Sequence, residues 1–129
     1  MDAQLMRFEN LQILNLTNNK IRRVENLPCT LRELNLTGNL VDSIEPLRAP
    51  LESLIHLGVA YNVLESSALG TISSNFPNLF CLDASFNELC DFREACTVLE
   101  PLEDIKMLYL MGNPMCLTAN YREILKQRF

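Results

Sequence analysis

The chain has 129 residues, 48% of them apolar, and a net charge of −5 at neutral pH. That size and apolar content suit one domain that buries a real core, and the negative charge argues against a phosphate backbone as the ligand. No run of eighteen apolar residues occurs, so the sequence offers no membrane-spanning helix.

The opening stretch, MDAQLMRFEN, has neither a basic n-region nor an apolar h-region, so no secretory signal is visible. The cysteines (Cys29, Cys81, Cys90, Cys96 and Cys116) are odd in number and contain no Cys-x-x-Cys pair. That favours reduced thiols in a reducing compartment. Asn15-Leu16-Thr17 and Asn35-Leu36-Thr37 match the glycosylation acceptor pattern. Both occupy the same slot of a repeat, so one local sequence preference explains the pair.

The repeat is seen by aligning LQILNLTNNKI, LRELNLTGNLV, LIHLGVAYNVL, LFCLDASFNEL and IKMLYLMGNPM. Positions one, four, six and eleven are apolar in every unit, with Ala84 the smallest filler, and position nine is always asparagine: Asn19, Asn39, Asn62, Asn87 and Asn113. The alternation around positions four and six has a period of two, which predicts a short strand with its leucines facing inward. One such unit cannot bury its apolar face alone, so the units are expected to stack into a solenoid with a parallel sheet. The asparagine falls where the chain leaves the strand. Its amide both donates and accepts, so a buried ladder of the five can satisfy backbone groups that the turns leave unpaired.

The pattern L-x-x-L-x-L-x-x-N-x-L resembles the leucine-rich repeat family, in the short class of about 22 residues found in intracellular proteins such as a phosphatase-1 regulatory subunit and ciliary proteins. The resemblance implies an α/β leucine-rich repeat solenoid with a parallel concave sheet of about five strands. Repeats are expected near 11–30, 31–53, 54–78, 79–104 and 105–117, within a single domain over 1–129. On the convex side, IRRVENLPCT and the two-proline segment DSIEPLRAPLES predict extended or 3-10 structure. SSALGTISSNF and DFREACTVLE predict helices, the second with Asp91 as N-cap and Glu94 completing a capping-box-like pair.

The closing stretch GNPMCLTANYREILKQRF resembles the family's terminal cap at Gly112, Asn113, Pro114, Tyr121 and Arg122. It predicts a capping helix over 118–129 with Thr118 as N-cap and Tyr121, Ile124 and Leu125 as its apolar face. The short apolar Leu-Asp segment that usually follows in the family is absent, and LMRFENL looks like the tail of an earlier repeat. Both suggest an excerpt of a longer protein. Secreted members end in several closely spaced cysteines, whereas Cys116 stands alone, which implies a location inside the cell.

Positions three, five, seven and eight are expected to face outward on the concave side. Position three reads Ile13, Glu33, His56, Cys81 and Met107, and strands about 4.8 Å apart make these lateral neighbours. Glu33, His56 and Cys81 therefore line up like a carboxylate–imidazole–thiol triad. An open sheet face offers neither an oxyanion pocket nor a cleft, so catalysis is not expected. A zinc site from His56, Cys81 and Asp83 lacks any spacing signature, and no cofactor is implied.

The last three repeats add Tyr61, Phe86, Tyr109, Met107 and Met111 to the outward positions. Such a cluster is what protein interfaces enrich, although Tyr61 and Phe86 could instead pack against the next turn. Together with His56, Asp83 and Glu33 these are the candidate contacts for another protein, as a helix or extended segment lying across the concave sheet, with no nucleic acid, membrane or small-molecule substrate. The resemblance implies a docking or assembly module in a cytoplasmic complex, such as a cilium, centrosome or cytoskeletal assembly. A regulatory subunit of an enzyme such as a phosphatase is the alternative, weakened by only two concave acids; an extracellular recognition repeat is the third.

Overall fold

The computed structural model describes residues 3–129. A 3-10 turn over Ala3–Arg7 leads into the strands β1 (Ile13–Asn15), β2 (Arg23–Val24), β3 (Glu33–Asn35), β4 (Ser43–Ile44) and β5 (His56–Gly58). Helix α1 (Ser66–Asn75), strand β6 (Cys81–Asp83), helix α2 (Phe92–Leu99), strand β7 (Met107–Tyr109), a 3-10 turn at Pro114–Leu117 and helix α3 (Tyr121–Arg128) follow. Strands β1, β3, β5, β6 and β7 form one parallel sheet in chain order, and each covers positions three to five of its repeat. The register pairs Leu14, Leu34, Leu57, Leu82 and Leu108 across the sheet. The interior leucines of this row are fully buried, whereas Leu14 and Leu108 at the two ends are only partly so.

Backbone bonds and side-chain amides hold the stack together. The Asn62 amide donates to the carbonyls of Val59 (3.0 Å) and Ala60 (3.1 Å) in its own turn and of Leu36 (3.0 Å) in the turn before. Its oxygen accepts the Val41 N–H at 2.9 Å. Asn39, Asn87 and Asn113 repeat this arrangement, each reaching back one turn to Leu16, Val59 or Ala84 and accepting from Ile21, Leu64 or Leu89. Asn19 departs from the expected buried ladder. It is exposed, and among the described residues its amide bonds to Leu16 and Thr17 in its own turn and does not reach an earlier one. Among the described residues, every buried side-chain nitrogen and oxygen has a partner.

The convex side changes along the array as the prolines and spacing indicated. In the first two repeats β2 and β4 pair in parallel, and in the next two α1 and α2 pack against each other. Asp91 caps α2 by accepting the Glu94 N–H at 2.9 Å. The return half of the expected capping box does not form, since the Asp91 N–H already donates to the buried Ser66 hydroxyl at 3.0 Å. That hydroxyl also accepts from Cys90 and ties the start of α1 to the start of α2. Asn75, the last residue of α1, makes a similar tie to the extended second repeat through Glu45 O and Leu47 N.

The terminal cap is shorter than the sequence suggested. Thr118 closes the preceding 3-10 turn through its backbone N–H, and α3 begins at Tyr121 after Asn120 in a left-handed conformation. Thr118 is therefore not the N-cap: the chain is still turning there. Tyr121, Ile124 and Leu125 do face the core, partly buried.

Replacing Asn62 with Leu is expected to cost about 1–3 kcal/mol, since the Leu36, Val59 and Val41 backbone groups lose a buried partner. Asn19→Leu should cost clearly less, because water can replace its bonds. Urea unfolding of both variants checks the ladder, which would be refuted by equal losses.

Candidate interaction face

The register brings position three together as expected, with Ile13, Glu33, His56, Cys81 and Met107 side by side. His56 Nδ1 lies 3.6 Å from Glu33 Oε1, with both side chains well exposed. Such an ion pair is weak in water and requires a protonated imidazole. Burial pushes the Cys81 thiol up, and the Asp83 carboxylate pushes it further in the same direction. A nucleophile needs the thiolate, which both influences disfavour at Cys81.

Position five is used by the turns. Asn15, Asn35 and Asp83 each accept the backbone N–H two residues on, from Thr17, Thr37 and Ser85, at 3.0–3.1 Å. Asp83 thus does with a carboxylate what its two counterparts do with a neutral amide. At Gly58 the same row has no side chain. Together with Glu33, Asn35, His56, Cys81 and Asp83, Gly58 lines a concave hollow of about 330 Å³.

Position eight carries the aromatic residues, and its backbone is unusual in every repeat. Asn18, Gly38, Tyr61, Phe86 and Gly112 all have φ between 53° and 71°. Non-glycine residues pay for this conformation, and their side chains lean over the next repeat. A Cβ on Gly112 would overlap the Phe86 ring, and one on Gly38 would overlap the Asn18 amide. The Tyr61 ring stacks on Phe86 with centroids 4.4 Å apart and planes 10° from parallel, a geometry in the favourable range for offset stacking. Phe86 packs on the next turn as the structural reading has it and is still 40% exposed, while Tyr61 beside it is 58% exposed.

Position seven departs from the expected outward row. Ala60 and Ser85 are buried, and their carbonyls accept from the amides of Asn62 and Asn87 at 3.1 and 3.2 Å. In the last turn the matching contact, Asn113 to Met111 O, lengthens to 3.5 Å, and Met111 stands exposed beside Met107 and Tyr109. The Tyr109 hydroxyl lies 3.9 Å from the Met107 sulfur.

Phe80, overlooked in the sequence, is 40% exposed at position two with its ring 6.2 Å from His56. Its signal was an aromatic residue in a slot that holds Gln12, Arg32, Ile55 and Lys106 elsewhere. A separate hollow of about 800 Å³ lies between α2 and α3, lined by Cys90, Phe92, Cys96, Ile124 and Arg128 among others. Burial pushes the Cys96 thiol up there, against the opposite pull of Arg128.

Gly112→Ala is expected to cost about 1–3 kcal/mol through its left-handed backbone and its collision with Phe86. Combined with Phe86→Ala, the collision part should vanish, giving a less-than-additive double-mutant cycle in thermal or urea melts; strict additivity would mean that the ring does not lie on the glycine. Among the free thiols, exposed Cys29 and Cys90 should be alkylated before Cys81 and Cys96 at about pH 8. Labelling followed by mass spectrometry gives the order, and early modification of Cys81 would contradict the raised thiol.

No family model matches the chain. Leucine-rich repeat-containing protein 43 of Homo sapiens is 39% identical over 126 residues, covering 94% of this chain, and that of Mus musculus is 40% identical over the same length. The chain spans 19% of the length of these curated relatives. Among solved structures, one chain of the Drosophila melanogaster SNF/U2A' complex superposes with a TM-score of 0.78 at 21% identity, over 100% of this chain and 78% of that one. The chain is thus similar over nearly its whole length to proteins named for the leucine-rich repeat, and its fold, with turns closed by that repeat's asparagine, is a leucine-rich repeat solenoid.

Proposed function

We propose that the chain is a docking module for another protein inside the cell and that its concave face is the binding surface. The observation that carries this reading is the exposed Tyr61–Phe86 stack. Phe80, Met107, Tyr109 and Met111 are exposed in the same and the following repeat, and Ile13 is exposed at the far end of the position-three row. Exposed aromatic and methionine side chains grouped on a rigid scaffold are typical of interface cores. The stack is also pre-ordered, so binding need not pay to fix its rings.

The likenesses support a protein partner: the curated relatives are named for the leucine-rich repeat, and the Drosophila structure that shares the fold is of a complex. An odd number of cysteines, all free, favours the reducing interior of the cell. A helix or an extended segment laid across the five strands would meet the patch along its length. A ciliary, centrosomal or cytoskeletal assembly is the setting that the resemblance of the cap suggests.

A photo-crosslinking amino acid at position 109 should capture the partner, whereas the same group at Arg93 on α2 should not. With the captured protein purified, Tyr61→Ala should weaken binding by about 1–2 kcal/mol and leave the melting curve nearly unchanged. Capture from position 93 alone, or full affinity of Tyr61→Ala, would move the site to the convex side.

A further inference from the structure

The chemistry of the occupant can be narrowed, and this step rests on the concave-face reading above. Positions three, five, seven and eight of the five repeats contain two carboxylates, Glu33 and Asp83, and no lysine or arginine. The nearest basic side chains in the strand segments, Arg32 and Lys106, lie at position two on the rim. Asp83 is the informative member of the pair. Its turn needs only an acceptor for the Ser85 N–H, and Asn15 and Asn35 show that a neutral amide serves. The negative charge at 83 is therefore not required by the fold. Asp83 lines the concave hollow together with Glu33 and His56, while the Asn35 amide lies over Gly58. Tyr61 adds a second acceptor for a cation, since one face of its ring lies on Phe86 and 58% of the residue remains exposed.

We propose that the concave face receives a basic segment of a partner protein, with an arginine guanidinium stacked on the open face of Tyr61 and a second cation in the hollow between Glu33 and Asp83. The argument is charge complementarity on a face with two carboxylates and no lysine or arginine, where His56 neutralises Glu33 only when its imidazole is protonated. A planar guanidinium suits both requirements: it stacks on aromatic rings and pairs with carboxylates. Contact with apolar Met107 and the ring stack strips water from the incoming cation, which strengthens its pairing with the acids.

The test uses the full 129-residue chain and three synthetic probes of equal length, with alanine alternating with arginine, lysine or glutamate, followed by fluorescence anisotropy at physiological salt. The arginine probe should bind and the glutamate probe should not. Asp83→Asn, which keeps the turn acceptor, and Tyr61→Ala should each weaken the arginine probe by about fivefold, the scale of one exposed cation–π or ion-pair contact. Exchanging arginine for lysine should lose affinity on the parent chain and little on Tyr61→Ala. Neutralising Glu100, Glu103 and Asp104 together, away from the concave strands, should change affinity by less than about twofold. The proposal is overturned if that distant triple variant loses as much as Asp83→Asn, or if the arginine probe ignores both concave variants. If the glutamate probe binds and depends on Tyr61, the cation chemistry falls while the concave docking face survives. Loss of the docking face itself would show instead as capture from α2 in the crosslinking experiment.

Discussion

Each turn of this solenoid depends on one primary amide placed where the strand ends. A strand of three residues makes too few backbone bonds to fix its own exit, and the turn that follows buries carbonyls with no strand opposite them. The asparagine at position nine meets both needs: its NH₂ serves carbonyls in two successive turns and its oxygen takes an N–H from the turn before. Neither an aliphatic side chain nor a carboxylate could both donate and accept in that place. The repeats are thus joined by directional bonds as well as apolar contact, which fixes their register to a single residue.

That register creates the surface. Since the ladder fixes where each turn begins, position eight is forced into the left-handed region in all five repeats. Glycine fills it at 38 and 112 at no cost, and Asn18 tolerates it, as asparagine often does. Tyr61 and Phe86 are the exceptions, and aromatic residues are poor choices for that backbone on propensity alone. Their stacking recovers part of the cost, and the glycine at 112 supplies the room that the Phe86 ring needs. Strain retained at two adjacent exposed positions, where glycine would serve the fold, is better explained by what the rings do at the surface than by stability.

The architecture was legible because five copies of one pattern agreed, so the strands, the position-three row and the change of the convex side could all be read from spacing. What escaped had a local cause in each case. Asn19 has the consensus residue but stays exposed, its amide bonded within its own turn. Position seven looks like an outward slot by alternation, yet Ala60 and Ser85 lie past the strand end, where the period of two no longer applies. Thr118 has a good capping side chain, but Asn120 takes the chain through a left-handed residue before the helix can start. The ties made by Ser66 and Asn75 join segments far apart in sequence, and no periodicity announces them. Phe80 lies at position two, on the rim, which the alternation of the strand assigns to none of the four outward rows.

The same comparison between repeats separates structural from functional residues on the concave face. Where several copies perform one structural task, the residue that performs it with extra chemistry stands out. Asp83 closes the same turn as Asn15 and Asn35 but adds a charge, and Tyr61 occupies the same backbone as Gly38 but adds a ring. Cys81 shows the reverse, since its slot has the neighbours of a catalytic thiol while burial and Asp83 push the thiol up. The internal repeats thus act as controls for one another: a property shared by all five copies belongs to the scaffold, and one confined to the third and fourth belongs to the face they present. By that criterion the features that exceed the scaffold's needs, the Asp83 charge and the Tyr61–Phe86 stack, fall in repeats three and four, which is where the proposed docking face has its centre.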